Sequence, residues 1–268
     1  MESFKTSNPA WEGQPVHKFY NGAEMPLIGL GTYDTMDKEA IKRALLELKY
    51  RVIDTAALYE NETQIGEGLS EIFKSGALKR EDLFIVTKLC IADVEDVEGA
   101  VRTSLKKLQL DYVDLYFVHW PVFTKSVKNE KGEEQIVRIN KSMQDVWRDM
   151  EALVEKGLVK NIGISNYNVQ STWDLLSYCK IKPVANQIEV NPLYQNAELI
   201  RYLNANGILP ISYSPVARGA AERGVGLFDR PLIKELAEKY KKTPGQIILR
   251  WNLQQGNGVI PMSTNFER

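Results

Sequence analysis

The chain has 268 residues, 44% apolar and 26% charged, with a formal net charge of -1 and a pI of about 6.2. So even a balance offers no electrostatic draw toward nucleic acid or an anionic membrane, and no apolar run approaches the length of a membrane span. A small-molecule partner and one domain of barrel size, residues 1–268, are expected.

In chain order, Val16 to Met25 reads as two short extended segments about Asn21-Gly22, a strong hairpin signal. Short apolar runs then alternate with amphipathic helices. Ile28 to Tyr33 precedes a helix with Ile41, Ala44, Leu45 and Leu48 on its apolar face. Arg51 to Asp54 precedes one through Ile65, Leu69, Ile72 and Phe73, and Leu83 to Lys88 one through Val97, Val101, Leu105 and Leu108. After Val113 to His119 comes a polar stretch, Val122 to Ser142, read as an exposed functional loop. A helix through Met143, Val146, Met150 and Leu153 follows, closing at Gly157.

Val159 to Ser165, Val184 to Val190 and Ile208 to Ser214 are the next strands; helices from Asn168 and Ala197 follow the first two, and a Gly-rich loop, Ala217 to Gly226, follows the third. Two helices come next, the second opened by the capping box Thr243-Pro-Gly-Gln246. Gly258 to Ser263 is the eighth strand. Eight strands, each followed by a helix until the last, specify a parallel (β/α)8 TIM barrel with an N-terminal β-hairpin, because right-handed crossovers close the sheet at that number.

Chemistry in such a barrel gathers at the C-terminal strand ends. Asp54, Lys88, His119, Ser165 with Asn166, Gln187 with Glu189, Tyr213 with Ser214, and Ser263 occupy those ends, and Tyr59 follows Asp54 by one turn. Taken singly, such residues are most often the polar exits of buried strands; together they point to a site. Tyr213 is as well read as core, and Tyr33, Trp120 and Phe123 are either packed aromatics or the lining of a pocket. Cys90, Cys179, His17 and His119 lack zinc-site spacing, so no metal is expected. The two cysteines and an N-terminus without a signal core suggest a reducing, cytoplasmic location.

The motifs Gly29-Leu-Gly-Thr-Tyr33, Asp54-Thr-Ala-Ala-Leu-Tyr-Glu-Asn-Glu62, Thr87-Lys88, Val118-His-Trp-Pro121, Gly163-Ile-Ser-Asn166, Asn186-Gln-Ile-Glu189, Ser212-Tyr-Ser-Pro215 and Ile260-Pro-Met-Ser263, in this order, resemble the aldo-keto reductase family, in particular its aldose and aldehyde reductase-like members. The resemblance implies NADPH-dependent reduction of aldehydes or ketones to alcohols. Tyr59 matches the general acid, Lys88 and Asp54 its charged partners, and His119 the group that directs the carbonyl. A cation about 4 Å from a phenol is worth roughly 4 kcal/mol at an effective dielectric near 20, so Lys88 is expected to lower the pKa of Tyr59. For NADP(H), Tyr213 matches the ring stacked on the nicotinamide, and Ser165, Asn166 and Gln187 match the groups that hold its carboxamide. Thr32, Asp54, Ser214, Arg218, Ser263, Thr264 and Arg268 complete the implied cofactor contacts.

The chain departs from the family in three places. Val216-Ala-Arg218 replaces the usual Leu-Gly-Ser. Met262 stands where the family has a lysine that contacts the 2'-phosphate, which admits NADH as a second cofactor. The sequence stops at Arg268, within a helix that Thr264-Asn-Phe-Glu267 would cap, so the last helix and C-terminal tail are expected to be missing. A monomer is expected, with self-association through an uncovered barrel face as the consequence of that loss. An alternative reading is a weakly active or inactive cofactor-binding or interaction protein on a truncated barrel.

Overall fold

The computed structural model describes residues 6–34, 37–217 and 226–263. A hairpin of β1 (Val16–Lys18) and β2 (Glu24–Pro26) opens the chain. Its turn differs in detail from a two-residue Asn-Gly loop. Tyr20, Asn21 and Gly22 form a three-residue connection, in which only Gly22, at φ +88°, takes the left-handed conformation.

The repeating part runs β3 (Leu30–Gly31), α1 (Lys38–Leu46), β4 (Val52–Asp54), α2 (Glu62–Ser75), β5 (Phe84–Leu89), α3 (Val97–Leu108) and β6 (Leu115–Val118). An excursion of β7 (Thr124–Lys128) and β8 (Glu134–Arg138) follows. The repeat resumes with α4 (Met143–Glu155), β9 (Ile162–Ser165), α5 (Val169–Tyr178), β10 (Ala185–Glu189), α6 (Ala197–Ala205), β11 (Leu209–Tyr213), α7 (Pro231–Tyr240), α8 (Pro244–Gln254) and β12 (Gly258–Val259). The parallel sheet has the order β12-β11-β10-β9-β6-β5-β4-β3. A parallel bridge between Ile28 and Val259 closes it, with Gly29 N donating to Val259 O at 2.8 Å and Val259 N to Leu27 O at 2.7 Å. This is a (β/α)8 barrel.

Strand alternation sorts the side chains into two cores. Val52, Phe84, Val86, Leu115, Phe117, Ala185, Ile211 and Ile260 fill the interior, and Trp11, Phe19 and Met25 from the hairpin region join them. The Trp11 and Phe19 rings lie 6.5 and 6.4 Å from that of Phe84, at the N-terminal end of β5, so the hairpin plugs the bottom of the barrel. Ile53, Ile85, Leu89, Tyr116, Val118, Ile162 and Ile164 face outward and pack against the helices. Gly163 admits Phe117 to the interior: a Cβ there would lie 2.5 Å from the Phe117 ring.

Two local expectations are corrected. Leu48 is 51% exposed and lies beyond α1, because Lys49 turns into the left-handed region at φ +59° and ends the helical run. The stretch Val122 to Ser142 is not a plain loop. Thr124 pairs with Arg138 and Lys128 with Glu134, around a turn where Asn129 Oδ1 accepts from Lys131 N and Glu133 N. The hairpin is exposed on much of both faces and lacks the alternation that marks a half-buried strand. No described helix is long and apolar enough to cross a membrane.

Candidate active site

The outward-inward count along three neighbouring strands decides what meets at the mouth. Val52 and Asp54 on β4, Phe84, Val86 and Lys88 on β5, and Leu115, Phe117 and His119 along β6 and just beyond it share the interior phase. Asp54 is paired in register with Val86, and Lys88 with Phe117, so each strand is advanced by two residues on the one before. That stagger, inherent in a tilted barrel, sets Asp54, Lys88 and His119 side by side.

Lys88 is fully buried. Its Nζ donates to Asp54 Oδ1 at 2.6 Å, to Thr55 O at 2.8 Å and to Tyr59 Oη at 3.3 Å, so all three ammonium hydrogens have acceptors. Tyr59 comes from the tight turn Ala57–Tyr59 after β4. Its ring meets that of His119 edge-on at 5.8 Å and that of Tyr33 at 5.2 Å. The four polar groups thus form one contiguous cluster.

Burial disfavours the Lys88 cation, but the Asp54 carboxylate and the Tyr59 oxygen outweigh it and hold its pKa above the ordinary lysine value. His119 is pushed down to about 3, first by burial and then by the Lys88 charge, and is therefore a neutral imidazole. Its Nδ1 is enclosed with no partner. Lys88 lowers the Tyr59 pKa as expected, but burial is the larger effect and leaves it raised above the ordinary phenol value. The phenol is protonated at neutral pH, so it is a group with a proton to give.

The residues assigned to a cofactor are only partly free to contact one. Thr32 is fully buried, with its hydroxyl on Asp54 O at 3.1 Å. Gln187, expected to meet a carboxamide, directs Nε2 onto Asp54 Oδ2 at 2.6 Å and so completes the acceptor set of that carboxylate. Ser165 Oγ donates to Gln187 O, and Asn166 Nδ2 to His119 O at 2.9 Å. Asn166 Oδ1 accepts from Tyr213 Oη at 2.9 Å, and the Tyr213 ring is half-buried at the mouth. Asn166 and Ser214 stand at φ +64° and +44°, left-handed turns that re-aim the chain as it leaves the strands. Ser263 is half-buried after β12, and Met262 packs against the outer core. Arg218, Thr264 and Arg268 lie outside the described residues.

Of the three aromatics assigned to a pocket, Tyr33 is 55% and Trp120 42% exposed. Phe123 is placed otherwise. It is only 7% exposed and belongs to the outer core with Ile139, whose N donates to Phe123 O at 2.9 Å. It anchors the base of the β7–β8 hairpin, and its buried ring reflects packing rather than a cleft.

Sequence reasoning missed the support beneath Tyr59. Asn61 Nδ2 donates to Thr32 O at 2.6 Å and its Oδ1 accepts from Thr55 Oγ1 at 2.9 Å, which ties the turn to two strand ends. Thr87 Oγ1 donates to Glu62 Oε1 at 2.7 Å on the outer side of the wall. Asn61 and Glu62 read only as an acidic helix start, and their burial is not visible in a local pattern.

A family model described as the aldo/keto reductase family matches residues 27–268. The chain belongs to that family. This aldo/keto reductase is 40% identical over 262 residues to the NADP-dependent D-sorbitol-6-phosphate dehydrogenase of Malus domestica, covering 92% of this chain and 84% of that one. It is 42% identical over 259 residues to aldo-keto reductase family 1 member A1 of Gallus gallus, covering 91% and 78%. Among solved structures, the Bombyx mori aldo-keto reductase in complex with NADP superposes with a TM-score of 0.86 at 36% identity, over 95% of this chain and 85% of that one.

Proposed function

We propose that this aldo/keto reductase reduces aldehydes or ketones to alcohols with NADPH, and that Tyr59 gives the proton. The observation that carries the reading is the buried chain of contacts Asp54 Oδ1 to Lys88 Nζ at 2.6 Å and Lys88 Nζ to Tyr59 Oη at 3.3 Å. The names of the Malus and Bombyx proteins support the choice of dinucleotide. So does the donor set at the mouth. The half-buried Tyr213 ring beside the Ser165 hydroxyl and the Asn166 amide suits a flat ring that bears a carboxamide, such as nicotinamide. When bound, the cofactor supplies the hydride.

The chain's own residues handle the proton. Tyr59 holds it at neutral pH and releases it to the carbonyl oxygen, and the phenolate left behind is stabilised by the ammonium of Lys88. Asp54 keeps that ammonium charged where burial alone would neutralise it. His119, neutral and with Nδ1 enclosed, has Nε2 as the nitrogen left to donate toward the substrate oxygen, because an unpaired buried N–H would be costlier than an unpaired lone pair. Tyr33 and Trp120 screen the reacting atoms from water.

The test is NADPH consumption, followed by absorbance, with a panel of aldehydes for the wild type and Tyr59→Phe. Loss of the general acid is expected to slow turnover by about 10²- to 10⁴-fold. Equal rates for the two proteins would remove Tyr59 from the mechanism.

A further inference from the structure

Tyr59 sits in a turn that packing fixes only in part. Ala57 and Tyr59 are half-buried, and Leu58 and Glu60 are exposed. Glu60 nevertheless stands at φ +57°, in the left-handed region that a residue with a side chain rarely adopts. Such a backbone persists only where its surroundings impose it.

The constraint comes from the next residue. Asn61 is buried, and its Oδ1 accepts from Thr55 Oγ1 at 2.9 Å, which closes residues 55–61 into a ring with Tyr59 inside it. Its Nδ2 donates to Thr32 O at 2.6 Å, and Thr32 in turn donates N and Oγ1 to Asp54 O at 3.0 and 3.1 Å. The turn that carries the phenol is thereby tied to the backbone that carries the carboxylate.

The other end of the ring reaches the cation. Thr55 is fully buried; its hydroxyl goes to Asn61, its N–H to Val86 O at 2.9 Å, and its carbonyl accepts from Lys88 Nζ at 2.8 Å. Of the three acceptors around Lys88, Asp54 Oδ1 and Thr55 O are close, at 2.6 and 2.8 Å, and Tyr59 Oη is the farthest, at 3.3 Å. A contact already at that length is the first to be lost when the turn drifts, while the two shorter ones persist.

We infer that Asn61 is a positioning residue for Tyr59: by holding Thr55 and the turn 57–60 in one frame, it keeps the phenol hydroxyl within reach of the Lys88 ammonium. Asn61 acts through the turn and through Thr55. Its part in turnover rests on the reading of Tyr59 as the proton donor.

Two readouts on the full chain separate this role from one in stability alone. The first is the titration of Tyr59, followed by nuclear magnetic resonance of isotope-labelled tyrosine Cζ and identified as the signal absent from Tyr59→Phe. Asn61→Ala is expected to move that titration up by about half a pH unit or more, because burial then acts on the phenol with less opposition from Lys88. The second is NADPH-dependent turnover of an aldehyde, where Asn61→Ala is expected to lower kcat about tenfold or more with KM within about twofold of the wild type. Thr55→Val removes the same hydrogen bond from its other end with little change of shape. It is expected to move both readouts in the same directions, and it decides the matter should Asn61→Ala fail to fold. The double variant should be no slower than Asn61→Ala, because both changes break one link.

An unmoved Tyr59 titration in either folded variant, a kcat within about twofold of the wild type, or losses that multiply in the double variant would overturn the inference. The titration needs neither cofactor nor substrate. A wild type without reductase activity would therefore remove the catalytic reading of Tyr59, and the titration alone would then decide whether Asn61 positions it.

Discussion

Gln187 Nε2 donates to Asp54 Oδ2 at 2.6 Å, although β10 and β4 stand four places apart in the sheet. Only the curvature of a closed barrel brings those two side chains together. With Lys88 on Oδ1 and Gln187 on Oδ2, the buried carboxylate is held from both sides. Gln187→Leu removes one hydrogen bond to a charged group and is expected to destabilise the fold by about 1.5 to 3 kcal/mol. Urea unfolding measures this, and a change within error of zero would show that Asp54 does not depend on Gln187.

Lys88→Met breaks the fully buried pair and leaves Asp54 without a counterion. A loss of about 3 to 5 kcal/mol in stability is expected, because the remaining charge is unsolvated. The same change takes away the cation that opposes the burial-driven rise of Tyr59, so the phenol should titrate at a still higher pH than in the wild type. Ultraviolet difference titration of the folded variant reads this directly, and an unchanged or lower tyrosine pKa would contradict the assigned contact.

His119 makes stability depend on acid pH. Its pKa is about 3 in the folded chain against 6.5 for the free side chain, so between those values the unfolded chain binds a proton that the folded chain refuses. Stability from this group is complete above about pH 6.5 and is lost as pH falls toward about 3, by roughly 5 kcal/mol in all. His119→Gln should therefore show a shallower decline over that window than the wild type. Parallel curves of unfolding free energy against pH would mean that His119 is not buried in its neutral form.

Gly163 and Phe117 set the packing just below the site. A methyl group at position 163 would sit 2.5 Å from the Phe117 ring and 3.0 Å from Ala185 O. Gly163→Ala is expected to cost about 1 to 3 kcal/mol through overpacking, and Phe117→Leu in the same chain should recover part of that loss. Additive losses in thermal unfolding would show that the two positions do not compete for the same space.

The sequence by itself determined the scaffold and the cast. Periodicity already ended three strands at Asp54, Lys88 and His119, and Thr243 with Gln246 marked the start of α8. These signals repeat every two or 3.6 residues and are therefore local. What only the tertiary structure decided depends on which strand ends face each other across the mouth and on how much water reaches them. Gln187 turned to Asp54, Phe123 entered the core, and burial outweighed Lys88 at Tyr59, leaving the phenol's pKa raised rather than lowered. Stagger summed over eight strands and the desolvation of a closed interior are properties of the whole barrel, and no short window of residues contains them.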